Sequence, residues 1–84
     1  QDFLEYRSGI AKAVSLSDFD ADIFIQSNPS FFYTYEVVGD YFLDKNKPDE
    51  SVTMYRKALE CYIPNKYEIE RIKEKIAQIE LTKP

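Results

Sequence analysis

The 84-residue sequence has no histidine, no tryptophan, one cysteine, two glycines and no long apolar run. Each shortage removes a class of function. Without histidine, no imidazole can act as general base beside a serine or beside the thiol of Cys61. A single cysteine excludes an internal disulfide framework. No stretch approaches the roughly 18 apolar residues of a membrane-spanning helix, and no glycine-rich phosphate loop occurs. Catalysis by these residues alone is not expected, and neither is a bound cofactor.

The charged residues exclude more. The chain carries 15 acids against 11 bases, a formal net charge of −4. Residues 1–55 hold ten acids and four bases, and residues 56–84 hold five acids and seven bases. Neither part has the dense basic patch that nucleic-acid binding needs. Asp18, Asp20 and Asp22 imitate the start of a calcium loop. The imitation fails at Ile23, where glycine is required, and at Pro29, where a bidentate glutamate belongs. These acids read instead as the first turn of a helix, favoured there by the helix dipole. No functional metal is expected. Asn28-Pro29-Ser30 is not a glycosylation acceptor, because proline fills its middle position. Cys61 stands late in a helix among apolar neighbours. Glu60 beside it disfavours the thiolate, so Cys61 reads as a packing residue.

What is abundant is apolar. Hydrophobic residues make up 44% of the chain and aromatics 15%, with seven tyrosines and six phenylalanines. That is too apolar for a disordered segment and suits one folded domain. The chain begins at Gln1 rather than Met, and is expected to be a fragment of a longer protein.

Pro29, Pro48 and Pro64 punctuate the sequence at intervals that suit helices. Phe3, Tyr6, Ile10, Ala13 and Val14 recur at helical spacing from Asp2, with Asp2 and Glu5 as a capping box. Phe19, Ile23 and Phe24 share one face of a second segment, from Ser17 to about Ser27; a short strand is the alternative for its "DADIFIQ" stretch. Further helices are predicted from Ser30 to about Lys45 and from Pro48 to about Tyr62. Asn65 is placed to cap a last helix, in which Ile69, Ile72, Ile76 and Ile79 form a stripe. The reading is all-α, with about five helices in antiparallel hairpins.

Gly39 then needs a reason, since glycine inside a helix costs about 1 kcal/mol relative to alanine. Tyr35, Val38, Gly39 and Phe42 lie at i, i+3, i+4 and i+7, on one helical face. Ser51, Tyr55 and Ala58 share one face of the next helix. Gly39 opens a hole that a ring such as Tyr55 can fill. This pattern resembles the tetratricopeptide repeat, with a large aromatic, an aliphatic-glycine pair and a further aromatic, followed by small and aromatic positions in the second helix. The resemblance covers residues 30–64, with Pro64 one residue later than the family pattern, and residues 29–64 read as the repeat. Residues 1–28 read as a degenerate repeat or a helical hairpin, and residues 65–82 as a capping helix.

The resemblance implies a right-handed superhelix whose first helices line a groove that takes peptide segments. Tyr33, Glu36, Asp40, Leu43 and Asp44 stand at the groove-facing positions. Glu36 and Asp40 replace the basic and amide residues of repeats that clamp a terminal carboxylate, so this chain departs from that subgroup. The spacing of Glu36, Asp40 and Asp44 suits a segment that is both basic and apolar. The expected function is a non-catalytic protein–protein interaction module. The partner would be a protein or peptide segment, or another domain of the parent chain. The alternative is a C-terminal accessory domain of a larger enzyme, such as a hydrolase or transferase, serving stability or substrate access. Homodimerisation through the isoleucine stripe is a third reading.

Overall fold

A computed structural model describes residues 20–82. Within them lie four helices and no strand: α1 (Ala21–Ser27), α2 (Phe32–Asp44), α3 (Pro48–Glu60) and α4 (Lys66–Thr82). The helix expected from Asp2 to Val14 lies outside the described residues, as do Ser17 and Asp18 of the next segment. "DADIFIQ" is helical, and Asp20 caps it by accepting a hydrogen bond from the Ile23 N–H at 3.1 Å. α1 buries none of its residues, and Ile23 is 62% exposed. The Tyr35 hydroxyl donates to the Pro29 carbonyl at 2.6 Å, tying the α1–α2 connection to α2.

The α2–α3 turn follows from "KNKPDE". Asn46 takes the left-handed backbone conformation (φ 61°), which asparagine tolerates better than most residues. The Asn46 N–H reaches the Leu43 carbonyl at 3.0 Å, and the Lys47 N–H reaches the Phe42 carbonyl at 2.9 Å. This pair of bonds is a Schellman ending. Pro48 then opens α3, where its missing N–H costs nothing. Asp49 and Glu50 follow in the first turn and Lys57 lies in the last, both signs matching the helix dipole. α4 is capped by Asn65, whose side chain accepts from the Glu68 N–H at 3.1 Å.

The core lies where α2, α3 and α4 meet. Phe32, Val38, Tyr55, Ala58 and Ile72 have no exposed surface. Val37, Val52, Ile76 and Ile79 are nearly as deep. Each large side chain among them stabilises the fold by roughly 1.5–3 kcal/mol through burial.

Gly39 sits at the crossing of α2 and α3. A Cβ there would stand 2.5 Å from Tyr55 Cε1 and 2.6 Å from Cδ1. No real Cβ approaches a ring that closely, so only glycine fits while Tyr55 keeps its place. Ser51 adds a second close contact: its hydroxyl donates to the Gly39 carbonyl at 2.7 Å in the buried interface. The cost of a helical glycine is offset by the fully buried Tyr55 ring.

Candidate functional site

α4 meets α2 through charge. Glu36 is 1% exposed on the inner side of α2. Arg71 grips its carboxylate with two nitrogens, Nε to Oε2 at 2.8 Å and Nη2 to Oε1. Lys75 Nζ donates to the same Oε2 at 2.7 Å. Lys75 also reaches both oxygens of Asp40, at 3.0 and 3.1 Å. The Tyr55 hydroxyl donates to Asp40 Oδ1, and Lys75 Nζ lies 5.7 Å from the centre of the Tyr55 ring. Glu68 completes the cluster by accepting from Arg71 Nη2 at 2.7 Å. A paired, bidentate carboxylate of this kind tolerates burial where a lone one would not.

The electrostatics follow from the geometry. Burial alone would raise the Glu36 pKa, but the hydrogen bonds and charges of Arg71 and Lys75 outweigh it and hold the carboxyl below its ordinary 4.5. Burial works against the charge of Lys75 too, yet Glu36 and Asp40 raise its pKa. Hydrogen bonds to Glu36 and Glu68 raise that of Arg71. Burial, and then Asp40, raise the Tyr55 hydroxyl. All three charged partners are therefore ionised near neutrality, and Tyr55 stays a neutral donor. Burial, with Glu60 beside it, also raises the Cys61 thiol above its ordinary value.

One register runs through this seam. Glu36 with Arg71 and Asp40 with Lys75 are each 35 residues apart. α2 and α4 therefore run parallel as neighbours at a constant offset, with α3 returning between them. The same interval separates Pro29 from Pro64. Val37 and Ile72, also 35 apart, are both buried. The positions of α4 that correspond to Val38 and Gly39 are Lys73 and Glu74, both exposed. At these two positions α4 thus carries charged residues where α2 has the aliphatic-glycine pair that receives α3.

The five residues expected to line a groove separate into three settings. Tyr33 and Glu36 are buried, Tyr33 in the apolar core and Glu36 beneath α4. Asp40 and Leu43 come together on the rim of an open cleft of about 360 Å³ between α2 and α4. Asp44 is exposed and is not among the residues lining that cleft. Lys75, Gln78, Ile79 and Thr82 supply the α4 wall, and Tyr55 part of the floor. Sequence reasoning missed this wall. The signal was available, because adding 35 to Glu36, Asp40 and Leu43 lands on Arg71, Lys75 and Gln78.

Of the acids that imitate a calcium loop, Asp20 is the cap of α1 and Asp22 lies in its first turn. Among the described residues, no group of three His, Cys, Asp or Glu side chains is placed to hold a metal ion, and no helix is long and apolar enough to cross a membrane. Comparison with protein-family models, curated proteins and solved structures gives no match to this chain.

Proposed function

We propose that this chain is a non-catalytic interaction module, a tetratricopeptide-like helical stack with α4 as a capping helix. It holds a protein or peptide segment in the cleft between α2 and α4. The reading rests on the 35-residue offset between these two parallel helices, the relation expected of successive first helices in a repeat array. The Gly39–Tyr55 crossing supports it within the hairpin. The exposed charges of α4, Lys73 and Glu74 among them, suit a capping, solvating helix.

The cleft has an apolar strip, in which Leu43 is 44% exposed while Ile79 lies deeper at 5%. Asp40, Lys75, Gln78 and Thr82 rim it with hydrogen-bonding groups. An apolar side chain of the partner segment would sit on Leu43 and Ile79, flanked by polar backbone contacts. The basic, apolar segment that the acids of α2 favour is supplied inside the chain by α4 itself. Asp40 therefore orients Lys75 and Tyr55, and Asp44 is the acid left for a basic group of the partner.

The test is a selection of displayed peptides on the immobilised chain, followed by binding of the enriched peptides to Leu43→Glu and Gln78→Glu variants. Loss of binding in both variants, with the helical signal unchanged, supports the cleft. Undiminished binding in both removes it.

A second reading is favoured by a separate observation. Tyr62, Tyr67 and Leu81 are between 72% and 83% exposed. Such apolar surface suits contact with another domain of a parent protein, as in an accessory domain of a larger enzyme. Tyr62→Ser with Tyr67→Ser would then destabilise the parent protein and leave the isolated chain unchanged.

A further inference from the structure

Among the described residues, the seat of α4 is built by α2 and α3. Their acids, Glu36 and Asp40, match the bases of α4 in sign, spacing and direction. Ile72, Ile76 and Ile79 complete the core beside these ion pairs. Only residues 61–65 join α4 to the rest of the chain. Cys61 already has extended backbone (φ −84°, ψ 165°), and Ile63 precedes Pro64, which biases it the same way. Tyr62 and Pro64 are exposed while Cys61 and Ile63 pack partly against the core, so the connection is held only through alternate residues. The seat would hold an identical α4 from another molecule equally well. The ion pairs and the isoleucine contacts would then be kept, and only the partly buried contacts of Cys61 and Ile63 would change with the course of the connection.

We propose that α4 exchanges between two copies of this chain, so that Arg71 and Lys75 of one copy close over Glu36 and Asp40 of the other. The occupant is a second copy because its α4 reproduces the whole complement of bases and isoleucines. Exchange of an identical element is a low-cost route to a dimer. A short connection gives α4 an effective concentration near its own seat on the order of millimolar. The unaltered chain is therefore a monomer in dilute solution, and dimers appear when the closed form is penalised. This inference is separate from the cleft, which exists whichever copy supplies α4.

Two chains with opposite charge reversals test it. In Glu36→Arg, the hairpin repels its own Arg71. In Arg71→Glu, α4 repels its own Glu36. Each variant alone should melt more than about 10 °C below the parent, as expected when a buried pair is broken. After co-refolding, exchange pairs the normal Arg71 of one chain with the normal Glu36 of the other, and the reversed residues with each other. The mixture should form a one-to-one dimer that melts clearly above either variant alone, since one of its two seams regains the full set of native pairs. Deleting Tyr62 and Pro64 provides a second variant with the seat intact and the connection too short for folding back. It should sediment as a dimer at unchanged helix content. Rescue in the mixture, or a helical dimer from the deletion, supports exchange. A mixture that keeps two low melting points, together with a deletion variant that is monomeric or unfolded, overturns it.

Discussion

The two faces through which α2 meets its neighbours are built on opposite principles. Towards α3 the contact is made by shape. Gly39 gives up its side chain, Tyr55 fills the space, and the Ser51 hydroxyl reaches the glycine carbonyl. Towards α4 the contact is made by charge, with Glu36 held by Arg71 and Lys75, and Asp40 held by Lys75. A close crossing is specified by volume and penalises any added atom. A charged seam is specified by register, because a one-residue slip would part the carboxylates from their bases. Tyr55 belongs to both, with its ring under Gly39 and its hydroxyl on Asp40.

Substitutions should separate the two. Tyr55→Ala strikes both seams, and its loss should be the largest, about 3–5 kcal/mol by chemical denaturation. Gly39→Leu strikes only the shape-built crossing. Overpacking should cost about 1–3 kcal/mol, against a helix-propensity gain below about 1 kcal/mol. A Gly39→Leu variant more stable than the parent would show that the crossing has room to spare.

Glu36→Gln strikes only the charged seam. It keeps a hydrogen-bonding group but loses the charge, at a cost of about 1.5–3 kcal/mol. Arg71 and Lys75 are 28% and 32% exposed, so they regain hydration when Glu36 is neutralised. That places the cost toward the lower end. The pH response carries a sign. The Glu36 carboxyl is held below 4.5 in the folded chain, so its stabilisation is complete above that value. It is lost as the pH falls below 4.5 through the lowered folded value. Denaturation midpoints measured from neutrality to about pH 3 should therefore drop more steeply for the parent than for Glu36→Gln. The smallest effect concerns Thr34, which is fully buried and whose Oγ1 has no hydrogen-bond partner among the described residues. Thr34→Val should be neutral or stabilising by up to about 1 kcal/mol, because it removes an unsatisfied hydroxyl. A loss beyond about 1 kcal/mol would mean that the hydroxyl is partnered in solution.

The shape-built crossing was legible in the local pattern of the sequence, and the charged seam only through the 35-residue offset. Val38 and Gly39 with Tyr55 form a pattern confined to one hairpin, where helical periodicity shows which faces meet. The punctuation at Pro48 and Asn65 was legible for the same reason, since turns and caps are local chemistry. Glu36, Asp40 and Asp44 were read as one outward acidic row, because acids four residues apart on a helix are usually solvated. Whether such an acid faces water or a partner depends on a helix 35 residues away. No local rule brings Arg71 and Lys75 to it. Asp44 remained exposed while Glu36 became 1% exposed, so the row divides according to where α4 passes. The exposed α1 was legible as a helix, but its period said nothing about how little it buries.

A double-mutant cycle between Glu36 and Arg71 tests the charged register most directly. The parent, Glu36→Gln, Arg71→Met and the combined variant would be unfolded chemically at low salt and at about 1 M salt, where the Debye length is near 3 Å. A buried, bidentate pair that sets the seam predicts a coupling of about 1–2 kcal/mol, largely kept at high salt. Coupling below about 0.3 kcal/mol at both salt concentrations would contradict the account, because it would leave the bidentate Glu36–Arg71 pair no part in setting the register of α4.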